Sequence, residues 1–409
     1  MIDQRLTGQP TVILDLSRLL SRIRHMTPTG VDRVEMAYAR ELLRVIPDRL
    51  EFAALTPLGQ YGRLPRHRVV AFLDRTELLW SGSMPQPRGR VARALATGRA
   101  LAMLHPQALG SRSGSRVLLQ VSPHHLVDEQ KTASIIARER AKFVCLLHDL
   151  IPIEYPEYAR PNGAGLHVKR IRTVARHASG VIAISESTRR SFLPFLAEAG
   201  RDIPVTVAHL GLDFISDRLR PPITLPDHPY FVCIGTIEPR KNHLLLLNIW
   251  RRFAETVGDH AAIPKLLIIG RRGWENENIL DMLDRCPALR GHVEEQGGRS
   301  DDDVQQLLTG ACALLMPTFA EGFGLPVAEA LQRGVPVIAS DIPALREVGG
   351  DAPDYIDPID GPGWAQAIRD YAIAGSPRRA QQLQRIAGWR HLRWSDHIDI
   401  VRPLLEALG

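Results

Sequence analysis

The sequence contains a pair of acidic residues, eight positions apart, around a glycine-rich turn. Glu321 and Glu329 flank the sequence Gly-Phe-Gly-Leu-Pro, and a short apolar run ending at Met316 precedes it. The run is typical of a buried strand, the glycines allow a tight turn, and the proline suits a helix start. Backbone N–H groups at such a start attract a phosphate or a sugar hydroxyl. The pair predicts an anion site. For two isolated acids an alternative is equally good, in which Glu329 only complements the helix dipole and Glu321 is a solvated loop residue.

Two adjacent cations form the next candidate group. Arg240 and Lys241 lie in a loop that begins at Gly235, after the strand-like run Tyr230–Ile234, and residues 244–253 have a helical pattern. Cations are unfavourable beside the positive end of a helix dipole unless an anion lies there too. We therefore expect Arg240 and Lys241 to hold a diphosphate.

A similar arrangement occurs near the N-terminus. Thr29, Gly30 and Arg33 follow a strand-like run at residues 11–16 and precede a periodic helix that extends to about Ile46. Gly30 lets the backbone approach a ligand, so the segment predicts a second anion-binding loop. An ordinary strand-to-helix connection is the alternative interpretation.

His148 and Asp149 follow a buried-strand pattern at residues 143–147. Ligands bind beyond the carboxyl ends of strands in open α/β sheets, which makes His148 a candidate functional residue. Asp149 is expected only to orient its neighbour.

Together these motifs resemble the retaining family 4 (group 1) glycosyltransferases, which have the GT-B fold. The resemblance rests on Glu-x7-Glu with its interior Gly-Phe-Gly-Leu-Pro, on the following Gly-Val-Pro-Val-Ile-Ala-Ser-Asp, on Arg-Lys-Asn from Arg240, and on His-Asp-Leu-Ile-Pro from His148. The last segment is similar to that of bacterial mannosyltransferases of polysaccharide or O-antigen assembly.

The resemblance implies a role for each candidate residue. Glu321 would contact the donor sugar, and Glu329 would bind the ribose hydroxyls. The backbone amides of Phe323, Gly324 and Leu325 would contact sugar or phosphate. The N-terminal loop, with Thr29, Gly30 and Arg33, would lie beside the donor diphosphate and the acceptor.

The implied reaction moves a hexose from a nucleotide sugar, GDP-mannose or a UDP-hexose, to a lipid-linked or oligosaccharide acceptor with retention of configuration. No cofactor or metal is expected, because the family lacks the Asp-x-Asp metal site of the other glycosyltransferase architecture and Ser300 to Asp303 matches a helix N-cap. Two alternatives stay open, a GT-B sugar-nucleotide epimerase and a non-catalytic sugar-nucleotide binding protein.

The composition agrees with a two-domain globular protein. The chain has 409 residues, of which 44% are hydrophobic and 23% charged. The expected fold is α/β, GT-B, with two Rossmann-like parallel-sheet domains facing a central cleft. We expect an N-terminal domain at residues 1–217, a donor-binding domain at 218–384 and a C-terminal helix at 385–409 that packs back on the first domain. Strands are predicted at residues 52–55, 69–73 and 117–121, among others.

The net charge of +6 is unevenly distributed. Residues 60–116 contain ten arginines and no lysine, against Asp74 and Glu77, and predict an anionic partner. No nucleic-acid motif accompanies them, so an anionic membrane surface fits better than nucleic acid. Residues 88–105 would form a helix that either lies on anionic lipid or is solvated with a core-facing stripe. The N-terminus shows no charged segment followed by a long apolar one, so we do not expect secretion. We expect a cytoplasmic protein that the basic segment holds on the inner face of the plasma membrane.

Overall fold

The computed structural model describes residues 8–23, 25, 27–56, 59–84, 89, 98, 104–107, 114–212 and 222–409. These residues form two compact units. The first comprises the described residues within Met1–Ile153, Asn162–Asp213 and Leu392–Gly409, and the second those within Glu154–Pro161 and Phe214–His391.

The first unit is built on a seven-stranded sheet in the described part of the chain, with the order β3-β2-β1-β4-β5-β6-β7. Its strands are β1 Thr11–Asp15, β2 Leu50–Leu55, β3 Tyr61–Leu64, β4 Arg116–Gln120, β5 Lys142–Leu147, β6 Gly180–Ala183 and β7 Val205–Val207. Every neighbouring pair is parallel except β2 and β3. The carboxyl ends of β1, β4 and β5 therefore lie on one edge, where ligands bind in such sheets.

Helices cover this sheet. They are α1 Ser17–Ser21, α2 Gly30–Val45, α3 Arg66–Trp80, α4 Glu129–Glu139, α5 Ile151–Glu154, α6 Gly163–His177 and α7 Glu186–Glu198. Central strands such as β4 and β6 are buried along their whole length, as parallel strands covered by helices should be.

The second unit has a six-stranded, all-parallel sheet with the order β10-β9-β8-β11-β12-β13. Its strands are β8 Tyr230–Ile234, β9 Lys265–Ile269, β10 Val293–Gln296, β11 Leu314–Met316, β12 Val337–Ser340 and β13 Asp354–Ile356. Its helices are α8 His243–Thr256, α9 Glu277–Arg285, α10 Asp301–Thr309, α11 Leu325–Gln332, α12 Pro343–Gly349, α13 Gly361–Ala372 and α14 Pro377–Gly388. Trp250 and Trp364 are fully buried in its core, and each indole N–H donates to a backbone carbonyl.

The final helix, α15 Trp394–Ala407, belongs to the first unit and packs on α2. His397 fixes this contact, because its Nδ1 donates to the carbonyl of His209 at 2.8 Å and its Nε2 accepts the hydroxyl of Tyr38 at 2.6 Å. Burial lowers the pKa of His397 to about 4, so the ring is neutral and this pattern persists at neutral pH. The two Rossmann-like sheets and the returning helix confirm the predicted GT-B fold.

One predicted strand is wrong. Residues 69–73 lie inside α3 and form no strand. Val69, Phe72 and Leu73 are buried while Ala71 is exposed, which is helical spacing rather than alternation. A five-residue apolar run cannot distinguish the two periods by itself. The edge strand beside β2 is instead β3, which pairs antiparallel to it.

The acidic cluster after residue 300 is a helix start, as predicted. Ser300 is the N-cap of α10, and its hydroxyl accepts the backbone N–H of Asp303 at 3.2 Å. No helix in the described ranges is long and apolar enough to span a bilayer.

Candidate active site

The second unit brings two of its strand-end loops together. After β8 the chain makes a short 3₁₀ turn, Pro239–Lys241, and Asn242 adopts a left-handed conformation with φ 55° before α8. The Asn242 side chain donates to the carbonyl of Pro358 at 2.8 Å, which anchors the turn. The loop that follows β11 lies against this turn.

Backbone contacts hold the two loops in register. The carbonyl of Arg240 accepts the N–H of Phe319 at 2.9 Å and lies 3.0 Å from the hydroxyl of Thr318. In return, Nη1 of Arg240 donates to the carbonyl of Ala320 at 2.5 Å. These hydrogen bonds fix the cations of one loop relative to the carboxylate of the other.

Glu321, Arg240 and Lys241, which the sequence singled out, are in direct contact. The Glu321 carboxylate accepts from Nζ of Lys241 and lies 3.0 Å from Nη1 of Arg240. Glu238 also binds Arg240, through Nε and Nη2 at 3.1 and 2.6 Å. The side chains of Glu238, Glu321 and Lys241 are only 4%, 10% and 11% exposed, so the ion pairs are little screened by solvent.

This cluster determines the charge state of Glu321. Burial by itself would raise the pKa of this carboxyl, but the charges and hydrogen bonds of Arg240 and Lys241 hold it below its ordinary value. Glu321 is therefore ionised at neutral pH and acts only as a hydrogen-bond acceptor.

The sequence predicts a diphosphate beside these adjacent cations, and this stays a prediction; in the structure the protein supplies carboxylates of its own there. Glu238 and Glu321 provide one carboxylate for each of the two cations. Glu238 was not a candidate in the sequence, because an acid two residues before an arginine has no distinctive spacing. In the structure its burial identifies it as part of the cluster, since only 3% of the residue is exposed.

The glycine turn after Glu321 has the predicted form. Gly324 has φ 105°, and a Cβ at this position would lie 2.5 Å from Cδ2 of Leu345. The helix α11 begins immediately afterwards at Leu325, while Phe323 is buried. Glu329 lies in the second turn of α11 and is half-buried. The contacts that the resemblance implies for these residues stay predictions.

Gly270 permits a close approach between the loop that follows β9 and Gly235, the first residue of the loop that follows β8. It has φ 148°, and a Cβ added at Gly270 would lie 1.8 Å from the Gly235 carbonyl oxygen. A Cβ on Gly235 itself would lie 3.3 Å from Cε of Lys241. Gly235 therefore lies beside the cation cluster, as expected.

No sequence pattern predicts an aromatic contact that lies on the loop that follows β11. Tyr158 stacks on Phe319 with ring centroids 5.7 Å apart, and its carbonyl accepts the indole N–H of Trp274 at 3.1 Å. Tyr158 belongs to the segment Glu154–Pro161, which is part of the second unit although the flanking residues belong to the first. No local pattern in the sequence indicates this assignment.

In the first unit, His148 lies after β5 as predicted. Its Nε2 must donate to the carbonyl of Val121 at 2.8 Å, which leaves Nδ1 as the acceptor of the ring. Burial, with a smaller effect from the charge of Arg18, lowers the pKa of His148. The ring is neutral at neutral pH and can accept a hydrogen bond from a hydroxyl.

The N-terminal loop is a capped helix start. Thr29 and Asp32 form a capping box in which Asp32 accepts the N–H of Thr29 at 2.7 Å. The Thr29 hydroxyl also accepts from Nη2 of Arg18 at 3.0 Å. Gly30 is exposed as the first residue of α2, and Arg33 is half-buried in its first turn. The protein's own carboxylate therefore occupies part of the expected anion-binding loop.

In the second unit, the hydrogen-bond donors of the site are the two cations and backbone N–H groups. Within the described ranges, no group of three or more His, Cys, Asp or Glu side chains is placed to hold a metal ion. The expectation of a metal-independent reaction stays a prediction.

Comparison with known proteins gives one family match. Residues 228–372 match the family described as "Glycosyl transferases group 1". The serotype-specific mannosyltransferase WbdA of Escherichia coli is 28% identical over 303 residues, which cover 70% of this chain and 36% of that protein. O-antigen chain mannosyltransferase B of Escherichia coli is 30% identical over 230 residues, covering 54% and 58%. The chain spans about a third of the length of WbdA.

Two solved structures share the fold. Anabaena Alr3699/HepE in complex with UDP-glucose has a TM-score of 0.61 at 16% identity, with 96% of this chain and 98% of that chain covered. An Escherichia coli structure described as trehalose-6-phosphate bound with UDP-2-fluoro glucose has a TM-score of 0.62 at 11% identity, with 97% and 99% covered.

Proposed function

Because residues 228–372 form a glycosyl transferases group 1 domain in a chain of the GT-B fold, we propose that this protein is a glycosyltransferase of polysaccharide or O-antigen assembly. Its donor is a nucleotide sugar, GDP-mannose by preference, and its acceptor is a lipid-linked or oligosaccharide precursor. Transfer proceeds with retention of configuration. The mannosyltransferase names of the relatives support the choice of sugar.

The observation that carries this proposal is the ion cluster of Glu321, Arg240 and Lys241. A nucleotide sugar leaves as a diphosphate, so negative charge develops on the leaving group and positive character on the sugar. Arg240 and Lys241 would stabilise the diphosphate together with the N–H groups at the start of α11. The ionised Glu321 would stabilise the sugar. Hydrogen bonds between the two loops hold these groups in place before the reaction.

His148 would position a hydroxyl rather than remove its proton. A histidine whose pKa is lowered is a weak base, but its Nδ1 accepts a hydrogen bond well. No metal has a part in the proposed reaction, because Arg240 and Lys241 meet the charge of the leaving group.

The test is a transfer assay with purified protein, a panel of labelled sugar nucleotides and a lipid extract. Incorporation of mannose from GDP-mannose into the lipid fraction is the expected result. Isomerisation of the donor would identify an epimerase, and binding without turnover a non-catalytic protein. Glu295→Gln is the matched control for Glu321→Gln, since Glu295 forms an ion pair with Arg272 elsewhere in the second unit. Loss of transfer in both variants would contradict the assignment of Glu321.

We also propose that the arginine-rich segment contacts an anionic membrane. Part of its charge is neutralised internally, because Arg63 binds Glu51 and Glu139 at 2.7 Å. The proposal therefore rests on residues outside the described ranges, namely Arg88, Arg90, Arg93 and Arg99. Replacing all four by glutamine should abolish flotation with anionic liposomes at low salt, because each arginine contributes about 1 kcal/mol to the free energy of binding to an anionic membrane. If the unaltered protein does not float, the membrane contact is wrong.

A further inference from the structure

Two arginines of the first unit share one buried carboxylate beside the end of β1. Nε of Arg18 and Nε of Arg22 each lie 2.7 Å from Asp32, on different carboxylate oxygens. The Asp32 side chain is 2% exposed, whereas those of Arg18 and Arg22 are 20% and 17% exposed. Within the described ranges, Nη2 of Arg22 is buried and has no hydrogen-bond partner.

Arg170 brings a third guanidinium to this region. It lies on α6 one turn after His167, whose Nε2 donates to the carbonyl of Asp149 at 3.0 Å. Nε of Arg170 is buried and has no partner among the described residues. Burial, and then the charge of Arg18, lower the pKa of Arg170, so these two guanidinium groups lie within electrostatic range of each other.

The carboxylates near these arginines have other partners. Asp15 accepts the backbone N–H of Ser17 and pairs with His125, and Asp149 accepts the backbone N–H of Ile151. Nη2 of Arg22 and Nε of Arg170 are therefore buried donors without an acceptor among the described residues. A buried donor without a partner is costly, so this group calls for an acceptor such as an anion.

We propose that Arg18, Arg22 and Arg170 bind a phosphate or diphosphate group. Guanidinium N–H groups match the oxygens of a phosphate in geometry, and a partly buried site strengthens each hydrogen bond. The group lies at the sheet edge near His148, where a substrate would approach the first unit. Assigning the anion to the acceptor rests on the proposed function, and it implies an acceptor that carries a phosphate, such as a lipid-linked diphosphate.

The test is isothermal titration of pyrophosphate. All proteins carry Lys241→Ala, so that binding at the second unit does not interfere. Adding Arg170→Gln should weaken pyrophosphate binding at least about tenfold, whereas Arg170→Lys, which keeps the charge without the planar fork, should weaken it less. Arg176→Gln is the control, because Arg176 lies on the same helix, is exposed and pairs with Glu129. Thermal melting verifies that each variant is folded.

The outcomes distinguish a phosphate subsite from a surface that binds lipid. Equal binding by the Arg170→Gln and Arg176→Gln proteins would overturn the proposal. Binding to phosphatidylglycerol vesicles without binding of pyrophosphate would also overturn it and would identify a membrane-facing surface. Because the titration needs no turnover, it tests the subsite separately from the transferase: pyrophosphate binding that depends on Arg170, together with failure of the unaltered protein in every transfer assay, would refute the transferase and support the subsite.

Discussion

Replacing Glu35 by glutamine is expected to remove a pH dependence from the stability of the first unit. Glu35 is fully buried on α2, and its Oε1 accepts the backbone N–H of Leu19 at 3.0 Å. Within the described ranges its Oε2 has no partner. Burial, and to a lesser extent the charge of Asp15, raise the pKa of Glu35 to about 8. The carboxyl is therefore mainly protonated at neutral pH in the folded protein.

The sign and size of the effect follow from linkage. In the unfolded chain the pKa of Glu35 is near the ordinary value of 4.5, so between pH 4.5 and about 8 the folded state binds more protons. Stability must fall as pH rises through this window, by up to about 1.4 kcal/mol per pH unit. The whole loss is on the order of 5 kcal/mol for a shift of roughly 3.5 units.

Glutamine keeps the shape and the oxygen that accepts from Leu19, but it does not titrate. The measurement is hydrogen exchange of peptides from residues 17–45, corrected for intrinsic rates, at pH values from 5 to 9. The local opening free energy of the unaltered protein should fall relative to that of Glu35→Gln up to about pH 8 and then stay level. A constant difference across this range would show that Glu35 does not carry the proton and would refute the reasoning.

Three further predictions concern the site, the metal and the last helix. Glu321→Gln and Lys241→Ala should each lower transfer by about 10²–10³-fold in protein that thermal melting shows to be folded, since each removes one charge that stabilises the transition state; near-normal turnover in both would contradict the site. EDTA should leave transfer unchanged, and a loss reversed by Mn²⁺ or Mg²⁺ would require a metal. Tyr38→Phe should destabilise the protein by about 1–3 kcal/mol in thermal or urea unfolding, because Nε2 of His397 loses its donor in a buried place. No change would mean that water replaces the hydroxyl.

Much of the second unit could be predicted because its motifs are local. The turn at Gly324 and the cation pair after β8 are encoded in a few consecutive residues whose backbone requirements are strong. The same holds for Ser300, whose capping role needs only a neighbour three residues later.

Features that depend on tertiary contacts could not be read from the sequence. Arg18, Asp32 and Arg170 are separated by up to 152 positions, and only the fold brings their charges together. The polar edge strand β10 contains Glu294 and Glu295 and has no apolar alternation. For residues 69–73, the buried positions reveal a helix only once the neighbouring elements are known.

The division of the chain has a consequence for its synthesis. The second unit includes residues 154–161, which are synthesised before residues 162–213 of the first unit. The first unit in turn includes α15, which is synthesised after the whole second unit. During translation the first unit therefore lacks the helix that covers Tyr38 until after residue 391 has been added. A nascent chain stalled there would expose the apolar face of α2, and no single cut between residues 213 and 222 would yield two fragments that each contain a whole unit.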